Sequence, residues 1–108
     1  MSQEEINQDW KLKLRYGKLS TPYKHYTAIA DGIAGELADG FICKKGEAFM
    51  AMKMWAEDTN QAADMISVIG GRIGFKVTGD IQIYDTEAEQ PPKERPYGYG
   101  INFTPYGE

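Results

Sequence analysis

Hydrophobic and polar positions sort with period two over several short runs of this chain and with a helical period over one. Trp10-Lys11-Leu12-Lys13-Leu14-Arg15-Tyr16 alternates strictly, with apolar side chains on one face and cations on the other. That sorting predicts a strand with one wet face, ended by Gly17. His25-Tyr26-Thr27-Ala28-Ile29-Ala30 reads as a second strand on its β-branched and aromatic content. Asp31-Gly32 is a hairpin-turn dipeptide, because both central positions of a type I′ turn need positive φ. A short return strand over 33–37 would follow. Asp39-Gly40 and Lys45-Gly46 predict turns around Phe41-Ile42-Cys43.

Residues 47–56 carry two conflicting signals. Ala, Met, Glu and Lys favour a helix by propensity. Met50, Met52 and Met54 nevertheless alternate with Phe49, Ala51, Lys53 and Trp55, which suits a strand buried on both faces. The next helix has its own start signal at Asp58, so the strand reading is preferred.

From there the signals agree. Asp58 is an N-cap with Gln61 three residues on. Ala62, Ile66, Ile69 and Ile73 recur on one helical face. Gly70-Gly71 within the helix costs about 1 kcal/mol per glycine relative to alanine, which implies close approach to a sheet. Gly74 stands where a left-handed C-cap is wanted, with Phe75 folding back on Ile69. Phe75 to Tyr84 alternates again, with Phe75, Val77, Ile81 and Ile83 inward. Residues 85–98 form a polar, proline-rich loop, and Tyr97 to Pro105 supplies a last strand.

The 108 residues suit one domain, with residues 1–9 a polar, disordered lead. The fold class is therefore α+β: a mainly antiparallel, curled sheet of about five strands with one main helix packed on one face. A strand–helix–strand unit makes it a ferredoxin-like variant.

Composition then narrows function. The net charge of −4 argues against nucleic acid as the main ligand. The cations Lys11, Lys13, Arg15, Lys18 and Lys24 cluster early and read as a solvated face. One cysteine, Cys43, excludes an intrachain disulfide and reads as a small hydrophobe, as in a reducing cytoplasm. No apolar run is long enough to span a membrane, and no secretory signal pattern opens the chain. With one histidine and one cysteine, neither a metal nor a cofactor is expected.

His25 is the sole candidate catalytic residue, as an acid or base oriented by Asp31 or Asp85. Its simpler reading is a strand histidine facing water. Met50, Met52, Met54 and Trp55 form an adaptable apolar set, either core or the lining of a pocket. Tyr84 offers a ring on the wet sheet face. Tyr97 and Tyr99, framed by Pro96, Gly98 and Gly100, present rigid rings in the manner of interface loops.

The Trp55-Ala56-Glu57-Asp58-Thr59 run, the Ile73-Gly74-Phe75 join and the Gln90-Pro91-Pro92 to Pro96-Tyr97-Gly98-Tyr99 tail resemble a family of small, stand-alone bacterial proteins of uncharacterised function. Proteins of that kind occur on mobile elements such as integron gene cassettes. The resemblance implies bacterial origin and a single α+β domain, and it assigns no catalytic residue. The expected function is a non-catalytic binding or interaction module that self-associates as a homodimer, with an immunity- or antitoxin-like protein partner as one form of it. A small apolar ligand in a pocket, or a small enzyme using His25, are the alternatives.

Overall fold

The computed structural model describes residues 3–106. In chain order it has α1 (Gln3–Arg15), β1 (Lys24–Ala34), β2 (Gly46–Ala56), α2 (Thr59–Ile73), β3 (Phe75–Asp85) and β4 (Tyr97–Pro105). The four strands form one antiparallel sheet in the order β3-β1-β2-β4. Strands β2 and β3 run parallel with β1 between them, so β2–α2–β3 is a split crossover. The sheet thus has four strands, where the sequence pattern suggests about five.

Two early elements differ from expectation. Trp10 to Tyr16 is helical, not extended, and α1 also takes in most of the polar lead. Met1 and Ser2 lie outside the described residues. The burial has a helical period: Trp10, Lys11 and Leu14 are half-buried, while Leu12 and Tyr16 are exposed. An Asp9–Lys13 ion pair at 3.2 Å spans one turn.

Asp31-Gly32 is likewise no turn, because β1 runs straight through to Ala34. The glycine serves close approach instead. A Cβ on Gly32 would lie 2.1 Å from the Lys76 carbonyl oxygen and 2.7 Å from the Phe75 ring. Opposite Asp31 the β1–β3 register shifts, as at a β-bulge. Residues 35–45 form the β1–β2 connection, so no return strand forms. Asp39 and Gly40 both take positive φ there, as a turn requires.

The core lies between the sheet and α2. Alternate residues Tyr26, Ala28, Ala30 and Ala34 of β1 and Ala48, Met50, Met52, Met54 and Ala56 of β2 are buried on that face. They meet Ala62 and Ile66 of α2 and Phe75 of β3. Small β1 side chains beside long methionines let the helix sit close. Gly70 marks the closest approach, since a Cβ there would stand 3.0 Å from the Met50 sulfur.

Local chemistry sets the ends of α2. Asp58 accepts from the Gln61 amide at 2.8 Å, and Gln61 reaches back to the Glu57 amide at 2.7 Å. Gly74 closes the helix at φ 119° with its N–H on the Gly70 carbonyl.

Candidate functional site

Helix α2 covers one face of the sheet. The other face carries the odd-numbered residues of β1 and β2. Cross-strand pairing gives it ordered rows: Trp55 beside His25 and Tyr97, Lys53 beside Thr27 and Tyr99, and Ala51 beside Ile29 and Asn102. Phe49 beside Asp31 and Thr104, then Glu47 beside Ile33, complete them. Tyr84 and Gln82 flank Thr27 and Ile29 on the β3 side.

At one end of this face, residues 86–90 fold over the sheet and are pinned there. The Tyr99 hydroxyl accepts from the amides of Glu89 at 3.0 Å and Gln90 at 3.3 Å. Its own proton therefore goes to His25 Nε2, 2.6 Å away. With Nε2 accepting, the proton of a neutral imidazole sits on Nδ1. That N–H donates to the Thr86 carbonyl at 3.0 Å, with Thr86 Oγ1 at 3.1 Å.

Trp55 donates its indole N–H to the Gln90 carbonyl at 2.8 Å, and its ring meets His25 edge-on at 5.2 Å. Lys53 pairs with Glu89 at 2.6 Å, and Thr27 bonds Thr86 at 2.8 Å. Each link joins a strand side chain to the loop.

Burial is the main cause that lowers the His25 pKa below its ordinary 6.5, opposed by its bond to the Thr86 backbone. The bond to Lys53 lowers the Glu89 carboxyl below the usual carboxylate range. Burial raises the Tyr97 phenol, and a bond to Asp31 raises Tyr106.

The residues singled out from sequence separate into distinct places. Met50, Met52 and Met54 have no exposed surface, so they fill the core and line no pocket. Trp55 and Tyr99 belong to the loop clamp. Tyr84 is exposed on the open face, its hydroxyl on Gln82. Tyr97 bonds the Pro91 carbonyl and lies under Lys93, with the ammonium 4.3 Å from its ring centre.

His25 is 8 % exposed and does not face water as a wet-face strand residue would. Both its nitrogens are engaged, neither by Asp31 nor by Asp85. Asp31 instead accepts from Tyr106, whose ring packs on Phe49. Cys43 is half-buried against the core.

Beyond the clamp, the open face carries an apolar and aromatic set, Ile29, Ile33, Phe49, Ala51, Tyr84 and Tyr106, with Asp31, Gln82, Asn102 and Thr104 among them. Ile33, Tyr84 and Tyr106 are 40 %, 48 % and 46 % exposed. Among the described residues no helix lies over this patch. Period two along Glu47 to Trp55 and His25 to Ile33 signals such a face, but it does not say which of the two faces the helix takes.

A cleft of about 230 Å³ opens beside the clamp, between α1 and the loop. A second, of about 270 Å³, lies between α2 and Tyr97, lined by Met65, Val68, Ile69 and Pro96. Among the described residues no helix is long and apolar enough to cross a membrane. Scans of protein-family models, of curated proteins and of solved structures each found no match to this chain.

Proposed function

We propose that this chain is a non-catalytic interaction module that pairs with a second copy of itself through the open face of its sheet. The observation that carries this reading is the uncovered apolar patch of Ile29, Ile33, Phe49, Ala51, Tyr84 and Tyr106 in a sheet that gives its other face to α2. Contiguous exposed apolar surface of this kind marks an interaction site.

Charge permits a second copy as the occupant. The chain carries a net −4, so two copies repel unless their contact is close to neutral. Lys53 is paired with Glu89, Ile33 lies between Glu47 and Lys76, and the one carboxylate beside Phe49, Asp31, accepts from the Tyr106 hydroxyl. The centre, at Ile29, Ala51 and Phe49, has no charge.

The part of this face beyond the clamp, the rows of residues 47–51, is about half the strand length, so with strands about 4.8 Å apart its footprint is roughly 300 Å², the size of an exposed patch that marks an interaction site.

The state of His25 supports a binding role over catalysis. Both ring nitrogens are engaged, Nδ1 by the Thr86 carbonyl and Nε2 by the Tyr99 hydroxyl of β4, which leaves none for a substrate. Within this reading the protein is bacterial and cytoplasmic, as its resemblance and single cysteine suggest. The split β2–α2–β3 unit supports describing its architecture as a ferredoxin-like variant.

Ala51→Glu tests the reading, because an isologous contact would bring two new carboxylates together. Size-exclusion chromatography with light scattering should show the wild type as a dimer and the variant as a monomer of unchanged circular dichroism. Val68→Glu, on the exposed side of α2, should remain a dimer. Dimerisation that survives Ala51→Glu, as pairing through the β3 or β4 edge would, contradicts it.

A further inference from the structure

Helix α1 turns one face to the rest of the molecule, and that face has a definite chemistry. Trp10 and Leu14 lie one turn apart, as do Lys11 and Arg15, and all line the cleft of about 230 Å³. The sheet and loop contribute Trp55, 6 % exposed, with Glu87 and Ala88. The cleft therefore brings together an indole and cations from the helix and a second indole from the sheet.

Its charge balance is positive. Lys11 and Arg15 stand against Glu87, and the neutral tautomer of His25 adds no charge. Glu87 is a weak competitor for Lys11: the pair is 3.9 Å apart and the Glu87 side chain is 84 % exposed. Among the described residues that ion pair is the sole side-chain polar link between α1 and the sheet or its loop, and Arg15 has no partner.

Flat aromatic walls select a flat ring, and paired cations at the rim select an anion on it. A volume below the usual range of about 300–1,000 Å³ for drug-sized ligands limits the occupant to one or two fused rings. We propose that the cleft between α1 and the loop at residues 86–88 binds a small aromatic carboxylate, with its ring between Trp10 and Trp55 and its carboxylate on Lys11 and Arg15. This site is separate from the neutral patch assigned to self-association, so either can fail without the other.

Bound ligand would bridge α1 to the sheet, a junction that otherwise has one loose ion pair. Binding thus adds stability at α1 in proportion to occupancy.

Heteronuclear NMR titration of the full chain with indole-3-acetate tests the site, since Trp10 and Trp55 are the protein's only tryptophans and their indole N–H signals report separately. Both signals should shift saturably, with a Kd at or below about 1 mM. Indole-3-acetamide, which keeps the ring and loses the charge, should bind at least ~10-fold more weakly. Lys11→Gln/Arg15→Gln should lose a similar factor for the acid and none for the amide. Saturable binding of tryptamine as tight as that of the acid would overturn the charge assignment. Absence of saturable shifts at either indole up to about tenfold above 1 mM would overturn the site. Met65→Ala, in the cleft beside Tyr97, leaves indole-3-acetate affinity unchanged, and a loss there would also contradict the assignment.

Discussion

The Tyr99 hydroxyl and His25 Nε2, 74 positions apart in sequence, stand 2.6 Å apart in the fold. With the amides of Glu89 and Gln90 also on that hydroxyl, one oxygen joins β4, β1 and the loop. Removing it in Tyr99→Phe strands an imidazole nitrogen and two amides. The two amides lie on exposed residues and can turn to water, but the part-buried imidazole nitrogen is left unpaired at about 1 kcal/mol, and that loss should appear in urea unfolding. Amide exchange at residues 86–90 should quicken more than exchange in α2.

Burial of the same imidazole gives stability a pH dependence. His25 folds with its pKa depressed below 6.5, mainly by burial. Above 6.5 both states are neutral and the contribution is complete. As pH falls from 6.5 through the folded value, the unfolded chain binds the proton first, so stability is lost. Unfolding midpoints measured between pH 7.5 and 5.5 should therefore fall with acid, and His25→Gln should flatten the curve over that interval. Glu89 titrates lower, below its ordinary 4.5, and stays out of this window.

Adjacent glycines of α2 should respond with opposite sign. A Cβ on Gly71 meets open space, so Gly71→Ala should gain about 0.5–1 kcal/mol from helix propensity. A Cβ on Gly70 falls 3.0 Å from the Met50 sulfur and 3.4 Å from Phe75, so Gly70→Ala should lose about 1–3 kcal/mol through overpacking. Thermal melts of the two variants decide the point.

How much of this the sequence revealed depends on whether the signals were local. Asp58, Gln61 and Gly74 act within a turn of the helix they delimit, and α2 lies where they place it. In Glu47 to Ala56 the alternation outweighed helix propensity, since burying the methionines beneath α2 decides the conformation. Trp10 to Tyr16 misled in the opposite sense. Its alternation is short, its Lys, Leu and Arg are good helix formers, and the Asp9–Lys13 spacing supports a helix.

Asp31-Gly32 carries turn chemistry, yet here the glycine makes room for Phe75 and Lys76, contacts more than forty positions away that no local pattern encodes. The clamp was hidden for the same reason. Trp55, Tyr99 and His25 each stand out in the sequence, but their union depends on how residues 86–90 fold back over the sheet. Period two exposed a polar-facing side without telling that its centre would be apolar.

Self-pairing through that centre is most directly tested by sedimentation equilibrium of the unmodified chain from about 5 to 200 μM, a range that spans typical micromolar association. The account predicts a mass rising towards twice 12.1 kDa, and Ala51→Glu held near 12.1 kDa throughout. A wild-type mass that stays at 12.1 kDa at every concentration would contradict it.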